Sequence, residues 1–192
     1  TKCSYEIGRA RALSPGWLEN ESIWLHMEYK YLLELLKSGL YEEYFADLKK
    51  MGVPFLPYET YGRSPLENSS FLVSSANFNE KIHGKGFVAR LSGSTAEFLQ
   101  MWELMMNGDK LFTMQDGTLT FKLAPAIPAY LVKDDGKVET TLFGKIKVVY
   151  DCGSKRDLIP GQYAVTKYEL VAADGSAESC EAATVFGETA QR

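Results

Sequence analysis

Apolar side chains recur every three or four residues along the first half of the chain and every second residue along the second. Ile23, Trp24, Met27, Tyr31 and Leu35, with Leu32 and Leu36 beside them, fall at helical spacing, the pattern of a helix that packs on one side. The spacing predicts a helix over 20–37, stopped by Gly39, and a second over 41–51, closed by Gly52 and followed by Pro54. A loop with Pro54, Pro57, Gly62 and Pro65 comes next. Ser64, Pro65 and Glu67 fit an N-cap, a first-turn proline and a capping-box glutamate. Ser94 and Glu97 repeat the box ahead of the stripe Phe98, Met101, Trp102, Met105 and Met106, and Gly108 is a natural stop.

After Lys110 the period is two. Segments 111–114 and 118–123 flank Asp116-Gly117, a hairpin signal. Segments 138–143 and 145–150 flank Gly144, and 163–172 leads into Asp174-Gly175. The chain is therefore expected to be α+β, with a helical part over 1–108, an antiparallel β region over 109–192, and strands packed on helices. Residues 178–192 have weak periodicity and read as an edge strand or a loose tail. One echo runs through the helical half: Leu18-Glu19-Asn20-Glu21-Ser22-Ile23 resembles Leu66-Glu67-Asn68-Ser69-Ser70-Phe71. Its plain reading is a helix start used twice; its sharper one is a shared role at one rim of a helical toroid.

Composition narrows the function classes. The 192 residues are 45% hydrophobic and 24% charged, which marks a folded chain rather than a disordered one. A formal net charge of −4 without basic clusters argues against nucleic acid as a partner. No apolar run is long enough for a bilayer. Cys3, Cys152 and Cys180 lack metal-site spacing and read as free thiols of a reducing, cytoplasmic compartment, with one distant disulfide as the alternative. The opening Thr1-Lys2-Cys3 has neither Met nor signal-peptide pattern, and the chain is expected to be a piece of a longer polypeptide.

The most informative stretch is 83–97, HGKGFVARLSGSTAE. Ser92, Gly93, Ser94 and Thr95 end a loop where a helix begins, so unpaired backbone N–H groups and the positive end of the helix dipole coincide. Lys85, His83 and Arg90 are nearby cations in sequence, and glycines at 84 and 86 allow close backbone approach. These are the parts of an anion site for phosphate or sulfate; a capped helix alone accounts for them equally well. No P-loop ending follows, and no catalytic triad, zinc-protease pattern or dinucleotide fingerprint is present. Trp17, Trp24, Tyr58, Tyr61 and Phe71 lie near Glu19, Glu21, Glu59 and Glu67 in sequence. That composition suits carbohydrate, and core packing explains it too.

The stretches WLENESIWLH (17–26) and ARLSGSTAEF (89–98) resemble the cellobiose-phosphorylase-like inverting glycoside phosphorylases. That family carries a Glu-Asn-Gly-Gly segment with a histidine soon after it. Later comes a Leu-Ser/Thr-Gly-Thr segment at the head of a late barrel helix, and then a short β region. The resemblance covers most of 10–150. It implies a partial (α/α)6-barrel helical layer followed by a small antiparallel β region. Glu19 matches the glutamate near the acceptor sugar and His26 the histidine after it; Ser92 and Gly93 match the phosphate-holding pair. His83 matches a phosphate-pocket histidine, and Arg90 would add a cation there. Glu21 and Ser22 stand where the family has its glycine pair.

The implied reaction is phosphorolysis of a β-glucoside with inversion, a glycosyl transfer to inorganic phosphate as co-substrate. No metal or organic cofactor is expected. The family's general acid lies ahead of the matched residues, so the chain alone is expected to be inactive. The other readings are a hydrolase or transglycosylase on the same barrel and a non-catalytic carbohydrate-binding or scaffold piece. A partial barrel leaves apolar faces open, so Trp24, Trp102 or Met105 is expected to be covered by another copy in a homo-oligomer.

Overall fold

A computed structural model of the chain describes residues 4–88 and 93–191. It is a mixed helix-and-strand protein with small antiparallel sheets, divided into two compact units, 1–101 and 102–192. The α+β class is observed.

In the first unit, a 3-10 segment Tyr5–Ala12 precedes a two-residue strand β1 (Ile23–Trp24) that runs directly into helix α1 (Leu25–Lys37). The helix expected over 20–37 thus starts at Leu25. Ile23 and Trp24 pair instead with a distant partner, strand β2 (Phe71–Leu72), as Ile23↔Leu72 and Trp24↔Phe71. Strand β3 (Gly86–Phe87) completes the sheet through Phe71↔Phe87 and Leu72↔Gly86. Three short strands therefore lie within the half expected to hold helices and a loop. Aromatic rings hold them: Trp17 stacks on Phe87 at 4.0 Å, and Trp24 meets Phe71 edge-on at 4.9 Å, geometries that add to simple burial.

The core face of α1 is Leu25, Tyr29, Leu32, Leu33 and Leu36, all buried. Gly39, with φ +75°, turns the chain into helix α2 (Tyr41–Met51), which buries Tyr44, Phe45 and Leu48. The turn needs a left-handed backbone there, which glycine adopts at little cost. A single helical turn α3 (Tyr58–Tyr61) follows. Ser64, Pro65 and Glu67 do not start a helix. Glu67 pairs with Arg63 at 2.9 Å instead of bonding back to a cap, and the chain turns toward β2. The sequence echo accordingly marks two strand entries: 18–22 leads into β1, 66–70 into β2, and the two strands pair with each other.

Helix α4 (Gly93–Asn107) begins in the first unit and ends in the second. It starts at Gly93, so Ser94 is inside it, and the Ser94 hydroxyl has no hydrogen-bond partner among the described residues. Met105 is 0% exposed within its own chain, so covering it needs no second copy; Trp24 is 42% exposed.

The second unit is built of hairpins. Strands β4 (Phe112–Gln115) and β5 (Thr118–Phe121) flank Asp116-Gly117, with φ of +49° and +78°, the two-residue turn that matches strand twist. Strands β6 (Lys137–Leu142) and β7 (Ile146–Asp151) flank the three residues Phe143-Gly144-Lys145, the first two at positive φ. Strands β8 (Tyr168–Val171) and β9 (Ala177–Cys180) form the third hairpin. The tail supplies an edge strand, β10 (Val185–Phe186), on β5, and a last turn α5 (Glu188–Gln191). Leu123, Tyr168, Val185 and Ala190 form the core beneath them. The Tyr168 hydroxyl accepts from the Leu123 amide at 3.0 Å. Cys152 and Cys180 are free thiols, and Cys3 lies outside the described residues.

Candidate functional site

His26 is the second residue of α1, a position set by the pairing of Trp24 with Phe71 and by the Leu25 amide donating to the Ser70 carbonyl at 3.1 Å. Its imidazole lies against Gly93 at the head of α4. A Cβ built on Gly93 would stand 2.7 Å from His26 Nδ1 and 2.8 Å from Cε1. Only a glycine lets the ring sit there. Because the obstructing group is a side chain, a larger residue would push the ring aside rather than break the helix. His26 Nε2 lies 3.3 Å from Glu97 Oε1, and Lys30 Nζ lies 4.0 Å from the same oxygen. Glu97 therefore orients the imidazole from the first turns of α4 instead of closing a capping box. Two sequence candidates, His26 and Gly93, thus meet at a helix N-terminus.

Glu19 sits on a tight turn closed by two backbone bonds, from the Trp17 amide to the Asn20 carbonyl at 3.2 Å and back at 3.1 Å. Leu18 has φ +50° and Glu21 +61°. Both are in the left-handed region that costs a side chain of their kind roughly 1 kcal/mol or more. The Glu19 carboxylate is partly buried and pairs with the Arg9 guanidinium. The Asn20 side-chain amide donates to the Leu13 carbonyl at 2.8 Å and ties the turn to the preceding segment.

His83 belongs to a different loop. Its Nε2 bonds the Asn77 carbonyl at 2.8 Å, so that nitrogen carries the hydrogen and donates. Asn77 in turn donates to the Pro15 carbonyl at 2.9 Å. His83 is thereby engaged in holding the 77–83 loop, not in the contact between His26 and Gly93. Arg90 and Ser92 lie outside the described residues.

A second feature of the first unit was not among the sequence candidates. A cleft of about 770 Å³ is lined by Ile23, Trp24, Met27, Tyr31 and Leu56, with Glu28 as its one acidic residue. Glu28 is 8% exposed, and its Oε2 has no hydrogen-bond partner among the described residues. Burial alone pushes its carboxyl up to about 8, so it holds its proton at neutral pH. A legible signal existed. Glu28 falls between Leu25 and Leu32 in the i, i+3, i+4 register of the α1 core face, where a carboxylate has no place unless it is partnered or neutral.

No family model and no curated protein sequence matches this chain.

Proposed function

We propose that the chain forms the phosphate and acceptor-sugar side of an inverting glycoside phosphorylase of the cellobiose-phosphorylase-like kind. The observation that supports this most is the contact of His26 with the α4 head. Two motifs far apart in sequence, the only two that carry the resemblance, meet through the His26 ring, Gly93 and Glu97. The first N–H groups of a helix have no partners within it and carry the positive end of its dipole. An imidazole beside them adds a donor and, when protonated, a charge. That combination suits a tetrahedral oxyanion.

A further support comes from Glu21. The family has glycine at this place, and here the backbone keeps φ +61°, a conformation glycine favours. The turn geometry that glycine would serve is thus retained with Glu19 at its tip.

On this reading inorganic phosphate is held at the head of α4 and one phosphate oxygen attacks the anomeric carbon. The glycosidic C–O bond breaks, and the leaving oxygen takes a proton from a general acid contributed by a segment ahead of the matched residues. A sugar 1-phosphate with inverted configuration and a shortened acceptor sugar result. The task of these residues is to position the nucleophile and the acceptor. Glu19 serves the sugar side; His26, against Gly93, lies where the sugar and phosphate sides meet; Gly93 is on the phosphate side, where the resemblance adds Ser92, Arg90 and His83. The reading places the protein in the cytoplasm, acting on a disaccharide or oligosaccharide, and leaves the isolated chain inactive.

The test is a titration of the chain with inorganic phosphate, followed by backbone amide NMR. Amides 93–95 and the His26 ring should shift at millimolar phosphate, since the isolated loops are not preorganised. Gly93→Ala, which displaces His26, should weaken binding about 10-fold, the value of one charge-assisted hydrogen bond. Amides that stay unmoved at high phosphate sink the phosphorylase reading. If phosphate leaves them unmoved while a disaccharide shifts the Glu19 turn, the hydrolase or plain carbohydrate-binding reading takes its place.

A further inference from the structure

We propose that Glu97 is a positioning residue for His26, and that through it the imidazole takes up a proton as an oxyanion binds at the head of α4. The inference rests on the reading that an oxyanion sits there, and adds how that site is regulated: its affinity follows pH. The observation that carries it is the way the imidazole is held at both edges.

On one edge, Nε2 lies 3.3 Å from Glu97 Oε1. A carboxylate only accepts, so Nε2 carries the hydrogen and donates it. On the other edge, Nδ1 and Cε1 face Gly93, where a Cβ would stand 2.7 Å and 2.8 Å from them. Nδ1 has no hydrogen-bond partner among the described residues. A neutral ring has one hydrogen, and Glu97 already holds it. The nitrogen beside the first residue of α4 is then a bare acceptor. A fully ionised oxyanion also only accepts, so two lone pairs would meet. The contact becomes a hydrogen bond once Nδ1 is protonated.

Electrostatics decide when that happens. Among the described residues, the charged groups at the ring are Glu97 from α4 and Lys30 from α1, whose Nζ lies 4.0 Å from the same carboxylate oxygen. Strands β1 and β2 bring Ile23, Trp24, Phe71 and Leu72, none of which titrates. In the segment before β2, Glu67 is held by Arg63 at 2.9 Å. Glu28, two residues along α1, keeps its proton at pH 7. With the site empty, Lys30 and the positive end of α4 oppose a charge on the ring, and Glu97 favours one. An arriving dianion adds negative charge beside Nδ1 and turns the balance toward the imidazolium. The proton comes from solvent, to which the His26 side chain is 41% exposed. The ring then bridges two acceptors, Glu97 through Nε2 and the anion through Nδ1.

The probes are inorganic sulfate and inorganic phosphate. Sulfate has no proton to exchange near neutral pH and no hydrogen to donate, so any pH dependence of its binding belongs to the protein. Amide NMR of residues 93–95 gives affinities from pH 6 to pH 8.5, and nitrogen NMR of the imidazole gives the protonation of each ring nitrogen. At pH 8 the free chain should show a protonated Nε2 and a bare Nδ1, and saturating sulfate should protonate both. Sulfate affinity should fall about 10-fold per pH unit above pH 7, the slope of one proton per anion. Glu97→Gln keeps an acceptor at the same place without the charge. It should lose the proton uptake, bind sulfate about 10-fold more weakly at pH 8, and recover at pH 6. His26→Asn, a second check independent of Glu97, should bind sulfate weakly and with no dependence on pH. Circular dichroism establishes that both variants are folded. Sulfate bound with Nδ1 bare, a flat pH profile, or full proton uptake in Glu97→Gln overturns the proposal while leaving the anion site in place. Binding of phosphate without sulfate also overturns it, because the hydroxyl of the ligand then donates to a neutral ring. Amides unmoved by either anion remove the site itself, and the inference with it.

Discussion

Glu28 makes a quantitative prediction about stability. In the folded chain its carboxyl holds its proton up to about pH 8, against an ordinary value of 4.5. The folded state therefore binds the proton more tightly than the unfolded state. The stabilisation is complete below pH 4.5, falls as pH rises, and is gone above 8. Between these limits the slope is about 1.4 kcal/mol lost per pH unit. Over pH 5 to 8 the loss amounts to about 4 kcal/mol, a large part of the ~5–15 kcal/mol that holds a domain together.

The perturbation is Glu28→Gln, which keeps the shape and removes the titration. Urea melts of both proteins at pH 5, 6, 7 and 8 give the stability difference at each pH. Groups that titrate in both proteins cancel in that difference, and the cost of seating an amide is independent of pH. The difference should move in favour of glutamine by about 1.4 kcal/mol per unit. A difference that stays flat across this range means that the Glu28 carboxyl is solvated or paired, and would falsify the account of the cleft.

Two further outcomes follow from single contacts. Glu21→Gly removes a side chain from a backbone at φ +61° and should leave stability unchanged or raise it by up to about 1 kcal/mol in a thermal melt, where most glycine substitutions lower it. Tyr168→Phe removes the hydroxyl that accepts from the Leu123 amide in the core of the second unit and should cost about 1–3 kcal/mol in urea.

The sequence exposed the parts whose signals are local. The turns at Asp116-Gly117 and Phe143-Gly144 need two consecutive residues at positive φ, and the glycines announce them. Helix α2 and the body of α1 follow from their apolar periods. What stayed hidden is non-local. A two-residue strand has no period, so Ile23–Trp24 reads as helix until Phe71–Leu72 is known to lie beside it. The Ser64–Glu67 pattern has the letters of a helix start, yet Glu67 pairs with Arg63 and Tyr61 donates to its carbonyl, so a turn wins. At the candidate site, His26 and Gly93 were each legible; their contact depends on how α1 lies against the start of α4. The signal for Glu28 lies in its place within the core register of α1, between Leu25 and Leu32, not in neighbouring aromatics.

Strand β1 also fixes two separate contacts of one helix. His26 and Glu28 are two residues apart on α1, and the first reaches Gly93 while the second lines the cleft. A helix advances about 100° per residue, so residues two apart point to widely separated sides. The rotation of α1 about its own axis therefore decides both contacts at once. That rotation is set where the helix begins. Trp24 is locked opposite Phe71, and the Leu25 amide is bonded to Ser70 before the first helical turn is complete. A slip of one residue in this pairing would turn α1 by the same 100°, withdraw the imidazole from the α4 head and move the Glu28 carboxyl out of the cleft wall. Continuation of the helix upstream through Ile23 and Trp24, as their apolar spacing alone suggests, would leave that angle without an anchor. The short strand is thus the element that fixes the rotation of an otherwise ordinary amphipathic helix.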